Sequence, residues 1–440
     1  MITALRNAFR LPDLRNKLLL TGLILVIYQF VAHVPVVGVD RSALNQLLNS
    51  EASGIFNVLN LLSGGALQNF SIIANGVYPY ITAQIILQVL IPIIPRLEQL
   101  QREPGGREKI ENYTYWLAIP MAILQSVSQI NIFNAFLGGG QSIIPGFGSD
   151  FLLTLTVIIT MTAGTMFAVW LGNLITNDGI GNGLSIIIFS GIVARAPSNL
   201  QQLMTNSTQP AFHLILFIIL TIISVIVVVI IQEAVRRIPV QYGKRVRGNK
   251  QYGGAATHIP LRVNPVGMIP LIFAQSVVAF PALIVNLFPE GPVSRAINES
   301  FGNQTGLLYW GFFFVLVVGF TFIYSEVMIG NQNLAENLQR NGGFIPGIRP
   351  GKKTNDYITR VTRRIVIVGA LFLGMVAILP GLVDWLNRIL FPNEAVSGIS
   401  GNPALVLGGS AIIIVVSVIT ETLRQIEAQL AMRNYDRYVR

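Results

Sequence analysis

Apolar stretches free of charge recur from one end of this chain to the other, and the polar segments between them leave no room for a large soluble domain. A bilayer core about 30 Å thick takes about 20 residues of helix. On that scale ten segments are predicted as membrane spans: 18–37, 77–94, 115–136, 151–171, 180–194, 211–231, 266–287, 307–328, 365–383 and 404–421. The first follows a basic segment, as a signal peptide would, but runs on to His33 and Pro35 without a small-residue cleavage site, so it is read as a retained span.

One apolar run is too long for a single straight helix. From Ala52 to Pro95 there is no Asp, Glu, Lys or Arg, and the run is broken at Gly64-Gly65 and at Asn75-Gly76. The pattern predicts a short half-helix, a break and a full helix. A half-helix near 65–73 folds back into the bundle if protein or water surrounds its irregular backbone, or lies on the outer leaflet as an interfacial helix; the pattern leaves both open.

Composition agrees with lipid as the solvent: 52% of residues are hydrophobic and 11% charged, with a mean hydropathy of +0.60. The net charge of +10 is distributed with a purpose. With the N-terminus inside, the segments facing the cytoplasm hold all of the 30 Lys and Arg except Arg41, Arg195, Arg295 and Arg388. If the short fifth span did not cross, the basic loop at 232–265 would face the wrong side. Ten spans with both termini cytoplasmic satisfy the rule, and five spans in each half make the halves candidates for inverted repeats.

Covalent chemistry finds no support. Cysteine is absent, His33, His213 and His258 are scattered, and no H-E-x-x-H, G-x-S-x-G or Walker pattern occurs. Neither a cofactor nor a metal is expected. Glu233, Glu326 and Glu421 fall at or near span ends, whereas an ion-coupled solute transporter, the rival class built from inverted repeats, keeps such groups near the midplane.

In GVYPYITAQIILQ, Val77 and Ile81 share a helix face, with Thr82, Gln84 and Gln88 on others; Leu184 and Ile188 repeat the spacing in GIGNGLSIIIFSGI. Such pairs are by themselves ordinary lipid contacts or packing. GIGNG lacks the strand and full frame of a phosphate loop, so its glycines are assigned to a sharp turn and a close approach of the fourth and fifth spans. The loops RRIPVQYGKRVRGNK and GFIPGIRPGKKT are basic. Topogenic charge accounts for that count, but not for Pro346 and Pro350 set among Gly342, Gly343, Gly347 and Gly351, which specify backbone geometry. A large cytosolic partner, including one rich in RNA, accounts for both.

The runs LLSGGALQNFSIIANGVYPYITAQIILQ, GIGNGLSIIIFSGI, RRIPVQYGKRVRGN, GMIPLIFAQS, GGFIPGIRPG and GGSAIIIVV together resemble the SecY family, in that family's order and over essentially the whole chain. The resemblance implies an all-α membrane protein of ten transmembrane helices in two inverted five-helix halves, 1–200 and 201–440, around a central hourglass pore with a short plug helix. By motif, the pore ring would be Val77, Ile81, Leu184, Ile188, Ile272 and Ile414. The plug at about 62–72 would include Ser63, Gly64, Gly65, Phe70 and Ile72. A lateral gate would carry Thr82, Gln125, Gln275, Ser276 and Phe280. The cytoplasmic loops 232–265 and 329–364 would dock the SecA ATPase or the ribosome, with its RNA and exit-tunnel proteins, through Arg236, Arg237, Tyr242, Lys244, Arg245, Arg247, Arg349 and Lys352. SecE and SecG would complete the complex in the bacterial plasma membrane, and signal sequences and unfolded polypeptides would be its cargo. Val228, in the sixth span, is expected to face lipid.

Overall fold

The computed structural model describes residues 11–48, 66–91, 93–103, 105–137, 142–206, 210–242, 245–247, 250–252, 256–285, 307–330, 334–379 and 403–439, with isolated residues between some of them. Thirteen helices run in the order α1 (Pro12–Ala32), α2 (Arg41–Leu48), α3 (Tyr78–Leu90), α4 (Pro95–Arg102), α5 (Gly106–Leu137), α6 (Phe151–Asp178), α7 (Gly183–Asn206), α8 (Pro210–Glu233), α9 (Ile269–Val285), α10 (Leu307–Gly330), α11 (Leu334–Arg340), α12 (Lys352–Ala377) and α13 (Pro403–Val439). Local chemistry sets several starts. Proline sits in the first turn of α1, α3 and α4, where its missing N–H costs no helix bond. The Asp150 carboxylate accepts from the Leu152 N–H at 3.0 Å and caps α6.

Each of the ten expected segments carries one of these helices, and α2, α4 and α11 are short connectors. Among the described residues four helical stretches are long and apolar enough to cross a membrane by themselves: Pro12–Ala32, Glu108–Asn134, Phe151–Asp178 and Leu308–Glu326. Counting the bent pair α3 and α4 as one span makes five, and Gly183–Ala194, Thr221–Glu233 and Ile269–Val278 are shorter apolar helices. The expected division at 200/201 falls inside α7, which continues to Asn206.

One large apolar core joins the long helices. The fourth and fifth segments approach as closely as their glycines suggested. A Cβ on Gly183 would lie 1.7 Å from the Gly172 carbonyl oxygen, and Gly181 turns the chain with a φ of +91°. The turn is pinned from both ends of the sequence: Gly181 N–H donates to Gln425 Oε1 at 2.9 Å and Ile180 N–H to Thr21 Oγ1 at 3.3 Å.

The fold is not all-α. Strands β1 (Val235–Tyr242), β2 (Arg245–Arg247), β3 (Lys250–Tyr252), β4 (Ala256–Arg262) and β5 (Gly343–Phe344) lie in the two basic loops. β1 is central, antiparallel to β4 from Val235↔Arg262 to Gln241↔Ala256 and to β5 through Gln241↔Phe344 and Tyr242↔Gly343. β2 and β3 form a separate hairpin. The physical reason is alternation: Ile238 and Val240 are buried while Arg237, Pro239 and Gln241 point outward. The buried face covers a second small core of Leu261, Ala335, Leu338, Ile345 and Ile358. The two basic loops therefore share one sheet and one small core, a folded platform.

Candidate functional site

A cavity of about 1500 Å³ opens between the helices beside the end of β4. Its extent follows from where its lining stops. Along α13 the lining runs from Arg424 back to Ser417, and Ile414, one turn further, is wholly buried and outside it. Along α3 it runs from Val89 back to Tyr80, and Val77, just beyond, is likewise buried. The lining on α7 and α9 includes Leu184, Ile188 and Ile272. Ile81, Leu184, Ile188 and Ile272 thus form an aliphatic part of the cavity's lining, and Val77 and Ile414 lie outside that lining. Five of the six expected ring residues are buried in the one apolar core, and the partly buried Leu184 packs against it.

The opposite end is charged. Arg424 donates to Glu233 Oε1 at 2.8 Å and to the Gln232 carbonyl at 2.5 Å, which joins α13 to α8. Burial, and after it the neighbouring Arg424 charge, draws the Arg262 guanidinium below its ordinary pKa. Glu326, also at this end, pairs with Arg363 of α12.

The segment expected as a plug precedes Val77 and α3 in the chain. Gly64 and Gly65 fall outside the described residues. The described part is a single 3₁₀ turn, Ala66–Asn69, followed by turns to Gly76, so the regular helix is shorter than expected. Gly76 takes a φ of +55°, the expected break before α3. The segment is bound to the chain that leaves α1: Ile72 N–H donates to the Val34 carbonyl at 3.0 Å, Val36 N–H to Phe70 at 3.0 Å, and Tyr28 Oη–H to Ser63 at 2.7 Å. Phe70 holds a φ of +42°, which costs about 1–2 kcal/mol for a side chain with a Cβ. Its buried ring meets Phe133 edge-on at 5.2 Å, an aromatic contact of about 0.5–1.5 kcal/mol that offsets much of that cost. Ile72 is half-buried beside α6.

The expected gate residues divide. Thr82, Gln125, Gln275 and Ser276 are all buried. The Thr82 hydroxyl bonds the Tyr78 carbonyl at 3.0 Å and the Ser276 hydroxyl the Ile272 carbonyl at 2.9 Å, each inside its own helix. Phe280 is on α9, its side chain outside the described residues. A bond that joins α3 to α9 is one the sequence did not single out: Tyr78 Oη–H donates to the Ser276 carbonyl at 2.8 Å. The one signal for it was a tyrosine between the Gly76 break and Pro79 in an uncharged run.

On the platform, Arg236 and Arg237 are exposed on β1, Tyr242 packs into the small core, and Arg245 and Arg247 lie on β2. Lys244 lies outside the described residues. Arg349 and Lys352 are exposed beside a turn whose construction is legible residue by residue. Ile348 N–H donates to the Ile345 carbonyl at 3.1 Å, Pro346 takes the first central position and Gly347 the second with a φ of +79°, the type II pattern. Ile345 anchors the turn in the small core, and Gly351, at φ +102°, opens α12. Arg349 therefore stands on a fixed support.

Val228, expected to face lipid, is buried in the core instead. α8 is apolar all round, so its sequence gives no stripe from which to tell packing from lipid contact. Ile226, 53% exposed, is a residue of α8 that does face outward.

A family model described as SecY matches residues 71–423. The chain is similar to proteins named protein translocase subunit SecY from Streptomyces galbus, 40% identical, and Streptomyces scabiei, 39% identical, with 100% of both chains covered in each case. The corresponding protein of Corynebacterium glutamicum is 38% identical, with 99% of each covered. Among solved structures the fold resembles one described as a protein conducting channel, with a TM-score of 0.65 and 18% identity over 94% of this chain and 91% of that one. Sec61 in a canine ribosome-channel complex from the endoplasmic reticulum gives a TM-score of 0.61 at 17% identity, with the same coverage. With a family match over most of its length and relatives of this identity along all of it, the chain belongs to the SecY family.

Proposed function

We propose that the chain is the central channel subunit of a protein translocase, conducting unfolded secretory polypeptides across the bacterial plasma membrane and releasing transmembrane segments sideways into lipid. The observation that carries this reading is the cavity between the helices, whose lining joins the charged Arg262, Glu421 and Arg424 to the aliphatic Ile81, Leu184, Ile188 and Ile272. An aliphatic constriction dewets and opposes ion flow, and it yields to an extended peptide because it makes no fixed bonds to it. Many sequences can pass one such seal.

In this reading ten crossings in two inverted halves surround an hourglass pore, and both termini face the cytoplasm, which the placement of Lys and Arg supports. Val77, Ile81, Leu184, Ile188, Ile272 and Ile414 form the seal, and the segment at about 62–72 is the plug that leaves when a peptide enters. α3 and α5 part from α9 and α10 as the lateral gate. The basic platform, with Arg349 at its tip, receives SecA or the ribosome, and SecE and SecG flank the helices. Energy comes from those partners, and the chain itself works as a channel.

The absence of cysteine makes the test direct. Ile188→Cys, and Ile226→Cys as the outward-facing control, are each combined with a stalled precursor that carries one cysteine, and disulfide formation is scored. Crosslinking at 188 and not at 226 is expected. A stalled, active preparation that does not crosslink at 188 overturns the seal assignment.

A further inference from the structure

We infer that Tyr78 is the latch of the lateral gate, and that its hydroxyl sets how apolar a segment must be to leave sideways. The inference rests on the gate reading above and concerns a residue that reading did not include. Tyr78 follows the expected ring residue Val77 directly and starts α3 just after the Gly76 break. Its side chain is 2% exposed, and its hydroxyl reaches the Ser276 carbonyl at 2.8 Å, across 198 residues of sequence. α3 and α9 belong to opposite halves of the chain.

Three features make this bond a latch and not generic packing. The acceptor is a backbone carbonyl of α9, so its position is fixed by the helix and not by a rotamer. The Ser276 hydroxyl is occupied inside its own helix, and the Thr82 hydroxyl bonds the Tyr78 carbonyl and the Tyr78 side chain on α3, so neither crosses to the other helix. The bond is buried, so no water replaces it as the seam begins to part. A purely apolar segment entering the seam supplies no donor for the Ser276 carbonyl either, so its gain on reaching lipid must exceed the loss of the bond. The latch biases closure for every substrate alike, which is a threshold.

The test is a series of model segments graded in leucine content, scored for release into lipid by the complete translocase. Buried interhelical bonds of this kind shift an equilibrium about threefold on average. Tyr78→Phe is therefore expected to raise release, at the composition where the parent releases half, to about three quarters, and Tyr78→Met to move the curve in the same direction. A role in packing alone predicts lowered protein levels with an unmoved half-point, and that result overturns the latch. A second arm tests the gate: Tyr78→Cys with Ser276→Cys, joined by a short bis-maleimide, is expected to block release. If the tether leaves release intact, the gate reading fails. If it blocks release while the Tyr78→Phe and parent curves coincide, only the latch falls.

Discussion

Replacing Gly164 of α6 by alanine puts the plug assignment under direct strain. A Cβ at this position would lie 2.1 Å from the Ile72 carbonyl oxygen, 2.7 Å from its carbon and 2.9 Å from Ile72 Cγ2, where ordinary contact begins at 3.4 Å. Either α6 or the 70–72 segment must retreat by more than an ångström, and a carbonyl cannot swing aside as a side chain end can. α6 packs against α1, α5 and α7, and the segment is held by the Ile72–Val34 and Phe70–Val36 bonds. Overpacking of this kind costs about 1–3 kcal/mol, and if the segment yields, its seated population falls about 5- to 150-fold relative to the displaced one. The assay is ion conductance of the purified translocase in planar bilayers without precursor, with Gly311→Ala and Gly319→Ala as controls, since nothing lies within 4 Å of a Cβ at either. Gly164→Ala is expected to leak at rest and the controls to stay closed. A folded Gly164→Ala channel as tight as its parent would refute the seating of this segment beneath the seal.

Two shorter predictions concern the surfaces. Arg349→Glu reverses a charge on an exposed, rigid turn, so the fold should change by no more than about 0.5 kcal/mol. Docking to an acidic or phosphate-rich partner should weaken by at least about 30-fold, measured as motor affinity and precursor uptake in the same vesicles; normal uptake at normal protein level counts against the docking role. At the start of α2 the Asp40 carboxylate accepts from Ser42 Oγ–H at 2.6 Å and from Ser42 N–H at 2.8 Å, and these bonds hold its pKa below the ordinary 3.8. A depressed carboxylate contributes its capping above the ordinary value and loses it as pH falls through the folded one, so α2 should fray only below about pH 4. Amide exchange at Ser42 to Leu44 that is unchanged down to pH 2.5 would remove Asp40 from that role.

What the sequence made legible is what lipid and charge impose on every residue alike. A span must be apolar over its whole length and basic residues must stay on one side, so ten segments could be placed without any knowledge of packing, and each now carries a helix. Glycine in tight quarters was legible for the same reason: GIGNG could serve close helix approach, and Gly183 against Gly172 is that approach. The ring assignment rests only on resemblance. On periodicity alone Val77 and Ile81 are like any other aliphatic pair, and α8, apolar on every face, misled the assignment of Val228.

The two features that sequence reading missed share one cause, which is that both are joins between distant segments. In VRRIPVQY the alternation is short, and arginines dominate its impression. It becomes a central strand because β4 and β5, the latter about a hundred residues away, complete its two edges. Tyr78 is one aromatic residue in an apolar helix until α9 brings a carbonyl to its hydroxyl. Both joins also cross from one half of the chain to the other or from one basic loop to the next. A gate that must open and a platform that must bear load are built from such pairings, because only contacts between separately folded parts can be broken without unfolding either part. The residues whose partners the sequence could not supply are therefore the ones on which movement depends, and Tyr78 is the one whose single hydroxyl can be removed to test it.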